Sequence, residues 1–292
     1  MKPSLAVAIC TKERPTDLAD CISSVLVDQR VSEVLVSSDG LDFQTDSVIN
    51  QFLGEDARVR FLRGPRTGLA ANRNVCIANC LSDYMLFLDD DARLQEDFLT
   101  EALRQVSPSR LITGWENKSG RLVEAHNADF FGYQRKKRKG ELRSIVINST
   151  IFPTAFLKSR PFDEFYRYGS EEIDMAIAAT SSGLKISAIN AGNLHLHSPS
   201  SRSGNEMAAV SSNIHFCIHR YREYERSPLK LALYFLLGPP QTLRAFMKLE
   251  QKPSFLCAMR LTLSGLLSGL RCGAAVPVRR RRRITSRSTR GT

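Results

Sequence analysis

Three consecutive aspartates, Asp89, Asp90 and Asp91, directly follow the apolar run of residues 84–88. Carboxylate oxygens are the ligands that Mg²⁺ and Mn²⁺ prefer in proteins. A metal site also needs rigid support, which the end of a buried strand provides and a surface turn does not. The position of the triplet therefore predicts that Asp89 and Asp91 bind a divalent Mn²⁺ or Mg²⁺ ion.

A second acidic group, Glu171, Glu172 and Asp174, begins a segment of helical composition. Acidic residues are common in the first turn of a helix, where they complement the helix dipole. A carboxylate held in a fixed position can also act as a general base. Further along the chain, His195 and His197 are two residues apart, so they would face the same side of an extended strand.

The segments that must position these residues alternate between two types. Apolar runs predict four strands, at residues 5–9, 34–36, 59–62 and 84–88. Helical composition follows each of the first three, at residues 15–27, 45–52 and 69–80, the first opened by a proline suited to a first helical turn. This alternation predicts an α/β fold with a mostly parallel central sheet flanked by helices.

Polar side chains follow the predicted strands where each strand ends. Thr11, Asp39 and Asp89 all occupy such positions. In open parallel sheets, ligands bind outside the carboxyl ends of the strands. The three segments are therefore expected to meet at one edge of the sheet.

Several ordered motifs carry a family resemblance across roughly residues 5–200. They read Val-Ala-Ile-Cys-Thr-Lys-Glu-Arg-Pro at 7–15, Ser-Asp at 38–39, Gly-Leu-Ala-Ala-Asn-Arg-Asn at 68–74, Leu-Asp-Asp-Asp at 88–91 and Tyr-Gly-Ser-Glu-Glu-Ile-Asp-Met at 168–175. In this order they resemble the family 2 inverting glycosyltransferases of the GT-A fold. The chain departs from that family in having serine at 38 for a first aspartate, Asn72 for an alanine and Glu172 for an aspartate.

The resemblance implies a role for each matching residue. Those implied to bind the nucleotide sugar are Thr11, Arg14, Asp39, Gly68, Arg73 and Asp89. Asp89 and Asp91 would hold the metal, with His197 as a third ligand and His195 as the alternative. Glu172 matches the position of the catalytic base, and Glu171 is the alternative because the glutamate arm is one methylene longer than aspartate.

The implied function is metal-dependent transfer of a hexosyl group from a nucleotide-diphosphate sugar to a hydroxyl of a glycan or lipid-linked acceptor. Such a reaction belongs to the synthesis of cell-surface glycans or polysaccharides. One alternative is a nucleotidyltransferase, although residues 6–15 lack the glycines of a phosphate loop. The other is a catalytically inactive protein that binds nucleotide sugars.

The second half of the chain is less regular. Residues 111–151 show no clear period apart from a predicted strand at 144–147, residues 170–183 are helical in composition and residues 185–197 extended. We expect a glycosyltransferase domain at 1–226, with a nucleotide-sugar half at 1–110 and an acceptor half at 111–226. A helical appendage at 227–277, broken at Gly238-Pro239-Pro240, and a disordered basic tail at 278–292 would follow.

Charge is distributed unevenly along the 292 residues. Residues 227–292 contain 13 of the 41 Lys and Arg but only one of the 30 Asp and Glu. A basic C-terminus with spaced apolar residues is typical of helices on an anionic membrane surface, and no nucleic-acid recognition motif accompanies it. Seven cysteines without a CxxC pair, no leader peptide and no apolar run of about 18 residues indicate a cytoplasmic protein, free or peripheral on the inner face of the plasma membrane.

Overall fold

A computed structural model describes residues 3–136, 140–166, 168–196, 206–249 and 253–271. Its strands are β1 Leu5–Thr11, β2 Val31–Ser38, β3 Val59–Arg63, β4 Tyr84–Asp89, β5 Ala92–Arg93, β6 Arg110–Lys118, β7 Arg121–Val123, β8 Thr150–Pro153 and β9 Lys185–His195. Its α-helices are α1 Pro15–Leu26, α2 Phe43–Glu55, α3 Leu69–Asn79, α4 Glu96–Leu103, α5 Thr154–Ser159, α6 Glu171–Ser181, α7 Glu206–His219, α8 Pro228–Phe246 and α9 Phe255–Arg271. A short 3₁₀ helix at Ile147–Ser149 precedes β8, and a π-helical turn at Arg220–Tyr224 follows α7.

The strands form one sheet in the order β3-β2-β1-β4-β8-β6-β9-β5, with β7 paired to β6 outside this path. Strands β1 to β4 are parallel to one another, as predicted from the alternating strands and helices. Strand β8 runs antiparallel to both β4 and β6, whereas β6 and β9 are parallel. The predicted α/β sheet flanked by helices is therefore confirmed.

Two hydrophobic clusters cover the two faces of the first half of the sheet. Alternate residues of β1 divide between them: Leu5, Val7 and Ile9 pack with α1, and Ala6 and Ala8 pack on the opposite side. All of these side chains are at most 1% exposed. Burial on both faces explains why these strands read as continuous apolar runs.

The short pairing of β5 with β9 determines which distant segments meet at the sheet edge. Ala92 lies opposite His195, and Arg93 lies opposite Leu194. Because β5 begins immediately after the aspartate triplet, this pairing brings His195 next to the carboxyl end of β4. A contact between segments about 100 residues apart is thus fixed by two residue pairs.

Helix α9 packs against α7 through glycines. A Cβ atom at Gly265 would lie 3.0 Å from Cβ of Ile214, and one at Gly269 would lie 2.8 Å from Cβ of Ile218. The absence of side chains at these two positions lets the helices approach closely. One side of α9 therefore packs closely on the rest of the protein, against α7.

Three sequence predictions are wrong at the level of secondary structure. Residues 144–147 are not a strand, and the strand of that region is β8, from Thr150 to Pro153. The region taken as irregular contains β6, the nine-residue strand at the centre of the second half of the sheet. Helix α8 continues through Pro239 and Pro240, where a break was expected.

Candidate active site

The three aspartates at the end of β4 point in different directions and make different contacts. Asp90 is 6% exposed and Asp91 is 3% exposed, whereas the side chain of Asp89 is 28% exposed. Asp91 accepts a hydrogen bond from Nε2 of His195 at 3.0 Å. Asp89 accepts one from Nη2 of Arg73 at 3.1 Å.

The side chains of Asp89, Asp91 and His195 lie close enough together to hold a metal ion. One donor atom from each residue lies within 4.8 Å of the others. Two carboxylates and an imidazole suit Mn²⁺ well, and Mg²⁺ less so because it prefers oxygen ligands. The donor set therefore fits the divalent cation expected from the sequence, and Asp89, Asp91 and His195 would hold it. Of the two histidines considered, His195 lies in this set and His197 lies outside the described residues.

A buried carboxylate orients the histidine of this set. Glu116, 4% exposed on β6, contacts Nδ1 of His195, which leaves Nε2 facing Asp91. Metal-bound histidines usually have such a carboxylate on the second ring nitrogen. Burial lowers the pKa of His195, but hydrogen bonds to Asp91 and Glu116 outweigh it and raise the pKa to about 9. The raised pKa favours the charged imidazolium, which balances the carboxylates of Asp91 and Glu116.

Asn148 connects Glu116, the partner of this histidine, to Asp89. Its Nδ2 donates to Oδ2 of Asp89 at 3.0 Å and to Oε1 of Glu116 at 2.8 Å. Its Oδ1 accepts from the backbone N–H of Asp89 at 2.8 Å. Asn148 is 2% exposed, and both its amide oxygen and its amide nitrogen are hydrogen-bonded. It therefore fixes the Asp89 carboxylate relative to Glu116.

Asp90, for which the sequence indicates no role, joins β4 to the loop after β1. It accepts from Oγ1 of Thr11 at 2.8 Å and from Nη1 of Arg14 at 3.1 Å. The same Arg14 nitrogen lies 3.3 Å from Oδ2 of Asp91. Burial raises the pKa of Asp90 to about 6 in spite of these two partners. Thr11 and Arg14 thus reach the triplet, as expected if they lie at a common site.

Arg73 links the triplet to the acidic turn of α6. The side chain is 2% exposed, and its Nη1 donates to Oε1 of Glu171 at 3.1 Å while Nη2 donates to Asp89. The guanidinium carbon lies 5.9 Å from the ring centre of Phe87 and 5.6 Å from that of Phe162. The guanidinium therefore packs against two neighbouring aromatic rings and bridges the carboxylates of two separate segments.

The first turn of α6 presents two glutamates in different environments. A backbone turn with positive φ at Gly169 (77°) and Ser170 (70°) leads into the helix. Glu171 is buried and pairs with Arg73, whereas Glu172 is half-buried and its Oε1 accepts from Nε2 of Gln134 at 3.3 Å. Burial raises the pKa of Glu172 to about 7, and the charges of Glu171 and Glu116 add to the effect.

The loops after β2 and β3 complete this edge of the sheet. Oδ1 of Asp39 accepts from the backbone N–H of Arg66 at 3.0 Å. A Cβ atom at Gly64 would lie 2.0 Å from that oxygen, so the close approach requires glycine. Gly68, with φ of 127°, precedes the first residue of α3. Asn72, the departure from the family alanine, accepts from Oγ of Ser37 and donates to its carbonyl, which ties α3 to the end of β2.

Sequence reasoning missed two residues of this site, Glu116 and Asn148. Glu116 lies inside β6 after the run Leu-Ile-Thr-Gly-Trp, which Thr113 and Gly114 interrupt, so it lacks the continuous apolar signal that precedes Asp39 and Asp89. Asn148 lies in a 3₁₀ turn with no periodic pattern around it. Only the folded chain brings it within hydrogen-bond distance of Asp89.

Comparison with known proteins gives concordant results. The family model described as glycosyl transferase family 2 matches residues 6–231. A 120-residue stretch is 28% identical to an uncharacterized glycosyltransferase of Rickettsia felis, covering 38% of this chain and 19% of that protein. The chain therefore matches about a fifth of the length of this curated relative.

Two solved structures are similar in fold. Residues 1–349 of TarS from S. aureus align with a TM-score of 0.61 and 15% identity, over 90% of this chain and 81% of that one. The mannosyltransferase PcManGT of Pyrobaculum calidifontis, solved in complex with GDP-Man and Mn²⁺, aligns with a TM-score of 0.58 and 11% identity, over 92% and 86%. The fold expected from the sequence motifs is thus shared with these structures.

Proposed function

The chain belongs to glycosyl transferase family 2 and has the GT-A fold, and on that premise we propose that it is a metal-dependent, inverting hexosyltransferase. Its donor would be a nucleotide-diphosphate sugar and its acceptor a hydroxyl of a glycan or lipid-linked glycan. The observation that carries the proposal is that Arg73 joins Asp89, which lies beside Asp91 and His195, to Glu171, the neighbour of Glu172.

The donor would bind along the carboxyl ends of β1, β2 and β4. Thr11, Arg14, Asp39 and Gly68 lie in the loops at this edge, where parallel sheets bind nucleotides. A divalent cation held by Asp89, Asp91 and His195 would neutralise the negative charge that develops on the departing nucleoside diphosphate. The GDP-Man and Mn²⁺ in the mannosyltransferase structure support this choice of donor class and cation.

Arg73 would support this site through its two ion pairs. Its charge is already shared between Asp89 and Glu171. In this position it would hold the Asp89 carboxylate for a divalent cation and would hold the first turn of α6 near the bound donor. We therefore assign Arg73 a positioning role beside the diphosphate contact inferred from the family motif.

Glu172 is the proposed general base. Its ionised carboxylate would take the proton from the acceptor hydroxyl as that oxygen forms a bond to the anomeric carbon. The bond from that carbon to the diphosphate oxygen breaks on the opposite face, and its electron pair leaves with the diphosphate. One carboxylate is sufficient for this inversion. A pKa of about 7 suits a base that works near neutral pH, whereas Glu171 is engaged with Arg73.

The C-terminal helices supply the proposed membrane contact. The outer faces of α8 and α9 expose large apolar side chains: Leu229, Leu233, Leu236, Leu237, Phe255, Leu256, Met259, Leu263 and Leu267 are 40–79% exposed. Within the described residues, none of the helices combines the length and the apolar character needed to cross a bilayer. Amphipathic helices with basic residues bind instead along an anionic lipid surface. An enzyme placed there would reach lipid-linked acceptors used in cell-surface glycan or polysaccharide synthesis.

Binding of nucleotide sugars tests the donor assignment directly. Thermal unfolding would be followed with UDP-, GDP-, dTDP- and CMP-sugars, each with and without Mn²⁺. We expect one diphosphate donor to raise the unfolding temperature in the presence of Mn²⁺ and to do so much less without it. CMP-sugars carry a single phosphate and serve as the control. No shift with any of the diphosphate donors would contradict the proposal.

A further inference from the structure

A second group of metal-type side chains lies beside α6 and is remote in sequence from the aspartate triplet. It consists of Asp163, His215 and His219, which we call the histidine cluster. One ligand atom of each residue lies within 4.8 Å of the others. The two histidines are four residues apart on α7, so they project from the same face of that helix. Both histidine residues are at most 5% exposed.

Each histidine of the cluster has one ring nitrogen engaged by an outer partner. Nδ1 of His219 lies 3.0 Å from Oδ1 of Asp174, and Nδ1 of His215 lies 3.0 Å from Oγ of Ser268 on α9. Nε2 of His215 faces Oδ2 of Asp163 at 2.9 Å. A hydrogen-bond partner on Nδ1 is the arrangement that fixes a metal-binding histidine with Nε2 directed at the ion.

Tyr166 provides an independent observation. Its side chain is 1% exposed, and its hydroxyl has no hydrogen-bond partner in the described part of the chain. The ring packs edge-on against His215, with ring centres 5.0 Å apart. A buried polar atom without a partner is costly unless a ligand or water completes its contacts.

The charges around the cluster also favour a cation. Asp163 and Asp174 contribute two negative charges, and both act on the guanidinium of Arg160, which bonds Tyr224. One guanidinium does not balance two carboxylates, of which Asp174 is buried and Asp163 is half-buried. With neutral imidazoles, the cluster would therefore attract an additional positive charge.

From this geometry we propose that Asp163, His215 and His219 bind a Zn²⁺ ion, with Tyr166 or a water molecule in the fourth position. Two imidazole nitrogens and a carboxylate oxygen are ligands that zinc accepts in tetrahedral sites. The ion would join the segment before α6 to α7, and through Asp174 and Ser268 it would also stabilise α6 and α9. Its role would be structural, since it would hold the helix whose first turn carries Glu171 and Glu172.

The test must distinguish this site from the donor site, which has metal ligands of its own. Zinc content per chain would therefore be measured in the Asp91→Asn background after removal of metal, equilibration with Zn²⁺ and dialysis. We expect one zinc ion per chain in Asp91→Asn. Adding Asp163→Asn should lower this to less than 0.1 ion per chain, about a tenfold loss, while the far-ultraviolet circular dichroism stays unchanged. Asp163 has a side chain 18% exposed, and asparagine keeps its size.

Two further variants keep the result interpretable. Ser268→Ala removes only the outer partner of His215 and should weaken zinc affinity about tenfold, because outer partners typically contribute 10–100-fold. His126→Gln changes a histidine outside both ligand sets and should bind zinc as the parent does. Absence of zinc from Asp91→Asn, or retention of zinc after Asp163→Asn, would show that the cluster is a hydrogen-bond network only and would overturn the proposal.

Discussion

At the scale of single residues, the two glutamates at the start of α6 differ in what they are free to do. Glu171 is buried against Arg73, and its removal would leave a buried guanidinium short of a partner. Glu172 is half-buried, and its side chain accepts a long hydrogen bond of 3.3 Å from Gln134. The neighbouring positions thus separate into one that supports the site and one that can exchange a proton.

The variant Glu172→Gln tests the proposed base. Glutamine keeps the shape and the contact with Gln134 but cannot accept the acceptor proton. We expect donor binding to remain within twofold of wild type and transfer to fall by about 10²–10⁴-fold, the usual contribution of a general base. Initial rates of product formation at saturating donor give the measurement. Glu124→Gln, at an exposed position, is the control, and transfer unchanged in Glu172→Gln would move the base elsewhere.

The pH dependence of transfer follows from the same residue. Only the ionised carboxylate can accept a proton, and burial raises the pKa of Glu172 to about 7. The active fraction is therefore present above this pKa and is lost as the pH falls through it. We expect kcat/KM to increase about tenfold per pH unit below 6 and to level off above 8. A profile already flat from about pH 5.5, as an ordinary glutamate would give, would contradict the assignment.

Several residue-scale features are readable from the sequence because they follow apolar strands. Asp89 and Asp91 are identified in this way, and both lie in the ligand set. Asn148 and Asp90 are not identified, because their roles depend on partners 59 and 79 residues away. The order of residue types along the chain indicates which residues belong to the candidate site. The hydrogen bonds that support those residues depend on the folded sheet.

At the scale of elements, strands β1, β2 and β4 are predictable because they are largely buried on both faces and contain apolar runs, whereas β3 lies at the sheet edge and is only partly buried. Strand β6 is interrupted by Thr113, Gly114 and Glu116, since it borders the site, and its sequence therefore lacks that signal. Gly114 is required because a Cβ atom would lie 2.0 Å from the carbonyl oxygen of Ala191. The strand that the sequence did not predict, β6, is therefore the one that carries Glu116.

Helix α8 shows why two prolines do not end a helix here. Pro239 and Pro240 lack N–H groups, so the carbonyls of Phe235 and Leu236 lose their helical donors. Both of these residues are exposed, at 37% and 69%, and water can serve their carbonyls. Thr242 Oγ1 donates to the carbonyl of Gly238 at 2.9 Å and reinforces the turn. The rule that an internal proline ends a helix therefore predicts a break in α8 that does not occur.

The close packing of α7 and α9 gives a prediction on stability. In Gly269→Ala, the added Cβ would lie 2.8 Å from Cβ of Ile218, so the two helices must separate. We expect the free energy of unfolding to fall by about 1–3 kcal/mol, the usual cost of overpacking. Chemical denaturation gives the value. The matched control is Gly54→Ala in α2, where a Cβ meets nothing within 4 Å and alanine should stabilise the helix by about 0.5–1 kcal/mol. Equal stability of the Gly269→Ala variant and wild type would contradict this packing.

At the scale of the whole molecule, charge and exposed apolar surface are concentrated in the same part of the chain. Residues 227–292 carry most of the excess positive charge, and α8 and α9 in that region expose leucine, phenylalanine and methionine. The sequence indicates the charge asymmetry directly. It does not show that one face of these helices packs on α7 while the other stays exposed, because both faces contain apolar residues.

Vesicle binding tests the proposed membrane contact. Deleting residues 278–292 removes seven arginines, each of which would contribute about 1 kcal/mol near an anionic bilayer. We expect co-sedimentation with phosphatidylserine-containing vesicles to weaken strongly and to become less sensitive to salt. The double variant Leu236→Asp, Leu256→Asp changes only the exposed apolar face and should weaken binding independently. Neutral phosphatidylcholine vesicles are the control, and equal binding of all three proteins to anionic vesicles would remove the membrane role.

The central claim is that Asp89, Asp91 and His195 hold the divalent cation that makes this chain a nucleotide-sugar-dependent transferase. The most direct test measures Mn²⁺-dependent release of nucleoside diphosphate from the donor by wild type and by Asp91→Asn, with Asp20→Asn as a carboxylate control on α1. We predict that wild type and Asp20→Asn require Mn²⁺ and that Asp91→Asn loses at least about 10²-fold in rate at any Mn²⁺ concentration. Turnover by Asp91→Asn at the wild-type rate, or turnover by wild type that is unaffected by chelation of Mn²⁺, would contradict the account.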